Sequence, residues 1–398
     1  KVHIGRFEPG TTVGWFLVSN GYNSSSNSVG NGYHVVYSNK NLNPESDPSK
    51  RQHNVMLYDE TRDVVVLGFE DLNRENGSDD DFNDAIFYVT SNPVEGIERG
   101  DLVSAKKAID SDGDGVYDYD DDFPFDPTKT NSSYAPSSAT NGSLCFEDNW
   151  PNMGDYDFND LVIDYSYEYF TNAFNQLSEI ELTLNLQAIG ASYHNGFGIQ
   201  FDIAPNMIKS VSGCEYTEQI ITNSSNGCET GQSKATIIIF DNAHKHLRRS
   251  ADATYVNTQA GTTPVDPKTF TINIEFQNGV VLSDLGKAPY NPFIFSNGTR
   301  GREIHLVDFE PTDLADFTLF GTESDVSDPT IDRYYQNKNN MPWALHTPTT
   351  FTYPSESINI HVCYPFFDDW AQSEGRSNQD WYYDLPGHRV NTNLFQRP

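Results

Sequence analysis

Two stretches of the chain carry the same order of carboxylates. Phe69–Val89 reads FEDLNRENGSDDDFNDAIFYV, and Phe146–Tyr165 reads FEDNWPNMGDYDFNDLVIDY. Each opens Phe-Glu-Asp, crosses a Gly-containing turn, delivers Asp-x-Asp-Phe-Asn-Asp and ends on an apolar run. Acids this close repel one another, and any burial desolvates them. A hard cation taking oxygen ligands offsets both costs. The acids expected to converge on such an ion are Glu70, Asp71, Asp79, Asp81 and Asp84 in the first stretch. In the second they are Glu147, Asp148, Asp155, Asp157 and Asp160. Adjacent side chains on a strand point to opposite faces, so some of these acids must lie in the turn. Phe82 and Phe158 are expected to enter the core, and Asn83 and Asn159 to bond turn backbone.

A third acidic stretch, Asp110–Asp121, reads DSDGDGVYDYDD. Counted from Asp110, the carboxylates of Asp110, Asp112, Asp114, Asp118 and Asp121 fall at positions 1, 3, 5, 9 and 12, with Gly115 at 6 for a sharp turn. That is the ligand spacing of a calcium loop, in which Val116 at position 7 offers its backbone carbonyl. The ion expected at all three stretches is Ca2+. Position 12 is Asp where a helix-flanked calcium loop carries a bidentate Glu. With the continuation Asp122-Phe-Pro-Phe-Asp126-Pro127, the loop resembles the calcium repeats of thrombospondin type 3 and dockerin-like linkers.

The elements that must position these acids are strands. VGWFLVS, HVVYS, DVVVLGFE and AIFYVT in the first 97 residues are β-branched and aromatic, and turn residues separate them. From residue 144, DLVIDYSYEYF, EIELTLNLQAIGA, GIQFDI, ATIIIFD, TFTINIEF and INIHVC read as further strands. EIELTLNLQA alternates polar and apolar, as a strand with one wet and one buried face does. DLVSAKKAI suits one short helix, and FFDDWAQSEG a helical turn or two. TKTNSSYAPSSATNGS has the composition of a linker. The expected architecture is all-β: two β-sandwich or jelly-roll-like domains, 1–97 and 144–398, joined by a calcium-binding loop and linker at 98–143. Long connections near 283–317 and 321–350 exceed usual lengths and are expected to carry function or crossovers.

Composition narrows the partners. The chain has 398 residues with 57 acidic against 25 basic, a formal net charge of -32. This argues against nucleic acid or an anionic membrane surface. An aromatic content of 13% argues against disorder despite the charge. No apolar run reaches the roughly 18 residues of a membrane span. The first residue is Lys1, as expected of a processed chain whose secretion signal has been removed. The even cysteine count, Cys145, Cys214, Cys228 and Cys363, permits two disulfides. Cys214–Cys228 is the expected pair because it closes a polar loop, with Cys145–Cys363 for the rest.

Catalytic signals are weak. His244 and His246 stand at period two, but no third ligand is near, so a polar strand end is expected. Asp368-Asp369 resembles a glycosidase pair only as chance pairs do in so acidic a chain. WYYDLPG offers aromatics that could stack on sugar, but core packing is the commoner use of such residues. No enzyme is expected.

Two pieces resemble known families. Residues 1–97, through GTTVGWFLVSNGYN and FEDL…SDDDFNDAIF, resemble a module of large bacterial calcium-dependent repeat adhesins. Residues 144–398, through FEDNWPNMGDYDFNDLVIDY, GREIHLVDFEPTDLADFTLFGTESDVSDP, RYYQNKNNMPWALHTP and FTYPSESINIHVCYPFFDDWAQSEG, resemble the LruC domain. The resemblance implies a secreted or outer-surface β-protein of a Gram-negative bacterium with no established enzymatic activity. It also implies calcium-dependent binding of a surface glycan, peptide or matrix protein. A subunit of an extracellular filament or surface layer, paired with copies of itself, is the second reading, and a glycan-active hydrolase the third.

Overall fold

Contacts divide the chain into a smaller unit, Lys1–Ile109, and a larger one from Asp110 onward. A computed structural model describes residues 1–396 apart from 31, 94–95, 101 and 106–108. In the smaller unit the strands are β1 (Phe16–Val18), β2 (Tyr22–Asn23), β3 (Ser28–Val29), β4 (Val35–Tyr37), β5 (Asn54–Asp59), β6 (Val64–Phe69), β7 (Ala85–Val89) and β8 (Val103–Ser104). Four of them form a sheet in the order β7-β6-β5-β8, and β1 pairs with β4, β2 with β3. β6 has the β-branched run VVVLGF, and its alternate residues Val65, Leu67 and Phe69 build a small core with Val36. The helix expected over 101–109 is not formed at Val103–Ser104, which pairs parallel with β5 instead. A single turn of helix has no tertiary face to pack and is costly to nucleate, whereas an open strand edge is ready to pair. Residues 101 and 106–108 of that segment lie outside the described residues.

The larger unit begins with the acidic loop. Its strands are β9 (Asn131–Ala135), β10 (Gly142–Phe146), β11 (Leu161–Thr171), β12 (Leu177–Ala188), β13 (Gly196–Phe201), β14 (Ile208–Ser212), β15 (Ala235–Phe240), β16 (Lys268–Phe276), β17 (Asn291–Phe295), β18 (Glu303–His305) and β19 (Ala344–Thr347). One sheet runs β14-β16-β12-β11-β10-β19, and β15-β13-β17-β18 form the other; all their pairings are antiparallel. The period-two pattern of β12 buries Ile180, Leu182, Leu184 and Leu186. These meet Phe197, Ile199, Ile237 and Ile239 of the second sheet in one apolar core, the arrangement of a sandwich.

The run expected as linker up to residue 143 supplies strands. β9 pairs with Tyr167–Thr171 and β10 with Leu161–Tyr165, so the two lie end to end along one edge of β11. Ser, Thr and Asn read as linker residues by composition, but β11 is long enough to leave this edge unpaired without them. INIHVC, expected as a strand, contains the helical turn α2 (Ile360–Cys363), because the Asn359 side chain accepts from the His361 N–H and caps it. FFDDWAQ forms α3 (Phe367–Gln372). Together with Phe351, Trp381 and Phe395, α2 and α3 cover Cys145, Phe158, Val162 and Leu345 in a second core.

All four cysteines are free thiols, so the expected disulfides are absent. Cys228 Sγ points at the Pro205 carbonyl (3.8 Å) and Cys363 Sγ at the Asn393 carbonyl (3.7 Å), each acting as a weak donor inside apolar packing. The expected strand end at His244 and His246 is the short helix α1 (Ala243–His246), capped by Asn242. Its two imidazoles part company. His244 Nε2 lies 3.1 Å from the Ala191 carbonyl, while His246 packs against Phe240 and Phe270. No helix among the described residues is long and apolar enough to cross a membrane.

Candidate metal centres

Among the described residues, three groups of acids bring ligand atoms within 4.8 Å of one another: Glu70, Asp79 and Asp81; Glu147, Asp155 and Asp157; Asp110, Asp112 and Asp114. The first two are the twin motifs, and their backbones agree closely. Asp80 and Phe82 adopt left-handed φ of 59° and 59°, and Tyr156 and Phe158 do the same at 57° and 50°. Alternating left-handed residues turn the flanking acids to one side, at a steric cost that only a firmly held turn sustains.

The hydrogen bonds repeat as well. The Asp71 N–H donates to Asp84 Oδ2 (2.7 Å), and the Asp148 N–H to Asp160 Oδ2 (2.8 Å). The Phe82 N–H donates to Glu70 Oε2 (3.4 Å), and the Phe158 N–H to Glu147 Oε1 (2.7 Å). The Asn83 and Asn159 N–H groups donate to Asp81 Oδ1 and Asp157 Oδ1 (3.1 and 3.2 Å). In each motif Glu and the Asp-x-Asp pair gather, while the remaining two acids, Asp71 with Asp84 and Asp148 with Asp160, form an adjoining pair.

Burial separates the twins. Glu70 is buried as Glu147 is, and Asp79 is exposed as Asp155 is, but Asp81 is exposed where Asp157 is buried, and Asp84 is exposed as well. Asp80 faces away, where Arg74 Nε (2.7 Å) and Lys50 Nζ (2.6 Å) hold its carboxyl well below the usual range. Phe82, expected in the core, is half-buried, with the Arg74 guanidinium 4.8 Å from its ring. Phe158 is fully buried in the second core. Asn159 reaches the Pro354 carbonyl with its side chain (3.2 Å), not its own turn.

In the larger unit Glu147 is wholly buried and Asp157 nearly so. Desolvation pushes Glu147 and Asp160 well above the ordinary carboxylate range and Asp157 to about 7; neighbouring acids add to all three. Asp148 is raised by burial too, and accepts from Asn195 Nδ2 (2.7 Å). Among the described residues no Lys or Arg pairs with Glu147, Asp155 or Asp157. Gly154 is required here: a Cβ at that position would sit 1.9 Å from Glu147 Oε2.

The loop centre is looser. Asp110 accepts from the N–H groups of Gly113 and Gly115 (2.7 and 3.1 Å), and the Val116 N–H donates to Asp114 Oδ1 (2.8 Å). Asp118 turns aside to Ser111, taking its N–H and Oγ–H (both 2.8 Å). Asp112 Oδ2 and Asp121 Oδ2 are buried without a hydrogen-bond partner. Burial raises Asp112, and the charges of Asp114, Asp121 and Asp110 raise it further. Asp114 Oδ2 accepts from Thr130 Oγ1 (2.8 Å), and the Thr130 N–H bonds the Thr171 carbonyl (2.7 Å), which ties the loop to β11. Oxygen-only donor sets with orphaned, desolvated carboxylates fit a calcium-sized ion.

Sequence reasoning missed the distant closure of the buried centre. The Ser357 N–H donates to Asp157 Oδ2 (2.7 Å), and Glu356 lies close enough for Asp155 to raise it, after burial. The only trace was the polar SES inside FTYPSESINIHVC, which nothing linked to residues two hundred positions away.

An all-β chain with paired acid centres therefore has a family to be placed in. Residues 175–382 match the model of a family described as a domain of unknown function, DUF4842, and since this is more than half of the chain, the protein belongs to that family. Residues 7–92 match a second domain of unknown function, DUF4114, which spans the exposed centre. A solved structure, a "putative lipoprotein from Bacteroides ovatus", is similar over 67% of this chain and 76% of its own, at 19% identity and a TM-score of 0.50. At that identity the likeness is one of fold. No curated protein matches the chain.

Proposed function

We propose that the protein is a calcium-stabilised binding protein of the bacterial exterior, secreted or held at the outer surface of a Gram-negative cell. It holds glycan, peptide or matrix protein through loops set by its cations, and is not an enzyme. The observation that carries this reading is Glu147. A carboxyl wholly removed from water, facing Asp155 and Asp157 with only the N–H groups of Tyr156 and Phe158 for company, must hold a proton or be met by a positive charge that the chain does not supply. The same turn in the smaller unit makes a repeated accident a poor explanation. The loop's likeness to thrombospondin type 3 repeats, and the resemblance to the LruC domain and to an adhesin module, point the same way. So do the net charge of -32 and the fold shared with a protein described as a lipoprotein.

Isothermal calorimetry of the whole chain with calcium, before and after Glu147→Gln, tests the metal. Loss of one binding event in the variant is the expected result, and absence of calcium binding to the native chain overturns the reading. Surface plasmon resonance over glycans and matrix proteins, in calcium and in chelator, tests the binding role.

A further inference from the structure

The turn joining β12 to β13 and the segment after α1 face each other across an open cleft of about 760 Å³, within the usual range of ligand sites. Its walls include His194, His244, Arg248, Arg249 and Tyr255, and no acid. In a chain of 57 acidic and 25 basic residues, such a lining is unusual. Arg248 is exposed and makes no ion pair among the described residues; Arg249 donates one Nη1 bond to the Ala253 carbonyl and keeps its other donors. At physiological ionic strength a charge is felt over roughly 8 Å, so these guanidiniums act on the cleft together with the carboxylates of Glu356, Asp160, Asp148 and Asp155, whose field reaches Tyr255.

Both walls hang from the buried centre. On one side the Gly190 N–H bonds the Asn159 carbonyl (2.8 Å), and Asn195 Nδ2 donates to Asp148 Oδ2 (2.7 Å). On the other, Thr258 Oγ1 donates to Glu356 Oε2 (2.7 Å). Tyr255, on the cleft floor, lies within the field of Glu356, Asp160, Asp148 and Asp155. The centre and the cleft walls are thus joined by hydrogen bonds on both sides.

We propose that this cleft binds the oxyanion of an acidic saccharide, a uronate carboxylate or a sulfate ester. Arg248 and Arg249 take the charge, as a planar guanidinium matches either group through paired N–H donors. The rings of Tyr255 and His244 offer flat faces to the sugar. The hydroxyls of Ser192 and Thr254 stand among them. The inference names the ligand class of the binding role argued above and rests on that reading for its calcium dependence alone.

The test is calorimetry of the full chain in millimolar calcium with three probes: oligogalacturonate for the carboxylate, chondroitin sulfate oligosaccharide for the sulfate, and neutral dextran. One acidic probe is expected to bind and dextran not to. Arg248→Ala is expected to weaken that binding roughly tenfold with an unchanged melting curve, and chelator to weaken it as well. Equal binding by Arg248→Ala, binding of dextran, or no binding of either acidic probe overturns the proposal. A poly-glutamate peptide that binds as tightly as the saccharides overturns the assignment to sugar. Calcium titration of the same sample keeps the readings apart: calcium binding without saccharide binding defeats the cleft alone, and saccharide binding without calcium binding defeats the metal centres alone.

Discussion

Replacing Asp157 by Asn is expected to stabilise the metal-free protein and destabilise the calcium-loaded one. Burial and the neighbouring Asp155 carry Asp157 from the ordinary 3.8 to about 7. At pH 8 an ionised Asp157 therefore costs the metal-free fold on the order of 4 kcal/mol. The amide removes that charge and gives back part of the gain. Only one of its terminal atoms can accept, so either the Asn159 N–H (3.2 Å) or the Ser357 N–H (2.7 Å) loses its partner, at about 1–3 kcal/mol. The balance is about 2 kcal/mol in favour of the variant, or roughly 3 °C in melting temperature for a unit of this size. With calcium present the sign reverses. The variant lacks one charged ligand, and a hundredfold loss of affinity forfeits about 2.7 kcal/mol of ligand-linked stability. Near-UV circular dichroism melts of both proteins at pH 8, in chelator and in calcium, read the crossover. A variant that melts lower by the same amount in both conditions would refute the reasoning, because it would mean that Asp157 serves only as a hydrogen-bond acceptor.

The remaining predictions concern the same elements. In chelator the native protein is expected to gain stability as pH falls from 8 toward 5: Asp157, Glu147 and Asp160 have folded-state values raised above their unfolded ones, so the penalty of ionisation is complete above the folded value and fades as protons return. A melting temperature that falls steadily over that range contradicts this. Gly154→Ala should cost about 1–3 kcal/mol and remove the buried centre's share of the larger unit's calcium response, leaving that of the acidic loop, since the new methyl meets Glu147 Oε2; an unchanged calcium-dependent melt would count against the described turn. Asp114→Ala, which unties Thr130, should cost the larger unit about 1 kcal/mol and admit protease within residues 110–121, as mass spectrometry of a limited digest will show. Reductant should leave the melting curve unchanged, and thiol titration of the native protein should be slow, because burial raises all four cysteines, three of them to about 11.

Local order was legible in the sequence wherever one rule dominated. The alternation of EIELTLNLQA gave β12 its buried face, and of the five acids expected to converge in each twin motif three gather, while Asp71 with Asp84 and Asp148 with Asp160 stand beside them. Misreadings arose where tertiary context outweighed composition. Asn131–Ala135 reads as linker and becomes a strand because β11 presents an unfilled edge; INIHVC has strand propensity and turns helical because Asn359 caps it. Cys214 and Cys228 are close in sequence, which favours a bond on spacing, but the thiol of Cys228 is turned to the Pro205 carbonyl. What no local reading reaches is partnership over long separations. Asn195, Tyr255, Glu356 and Ser357 belong to the surroundings of the buried centre, and none stands near the motif that defines it.

The bond from Ser357 to Asp157 spans 200 positions, and this fixes an order of events in time. A ribosome adding roughly 5–20 residues per second finishes the acidic turn some 10–40 seconds before it delivers the group that closes it. Until then Glu147 and Asp157 lack that closing contact, while Asp155 stays exposed even in the finished fold. The centre is sealed only when one of the last segments of the described chain arrives. A chain stopped before residue 356 would keep the whole motif and never complete it.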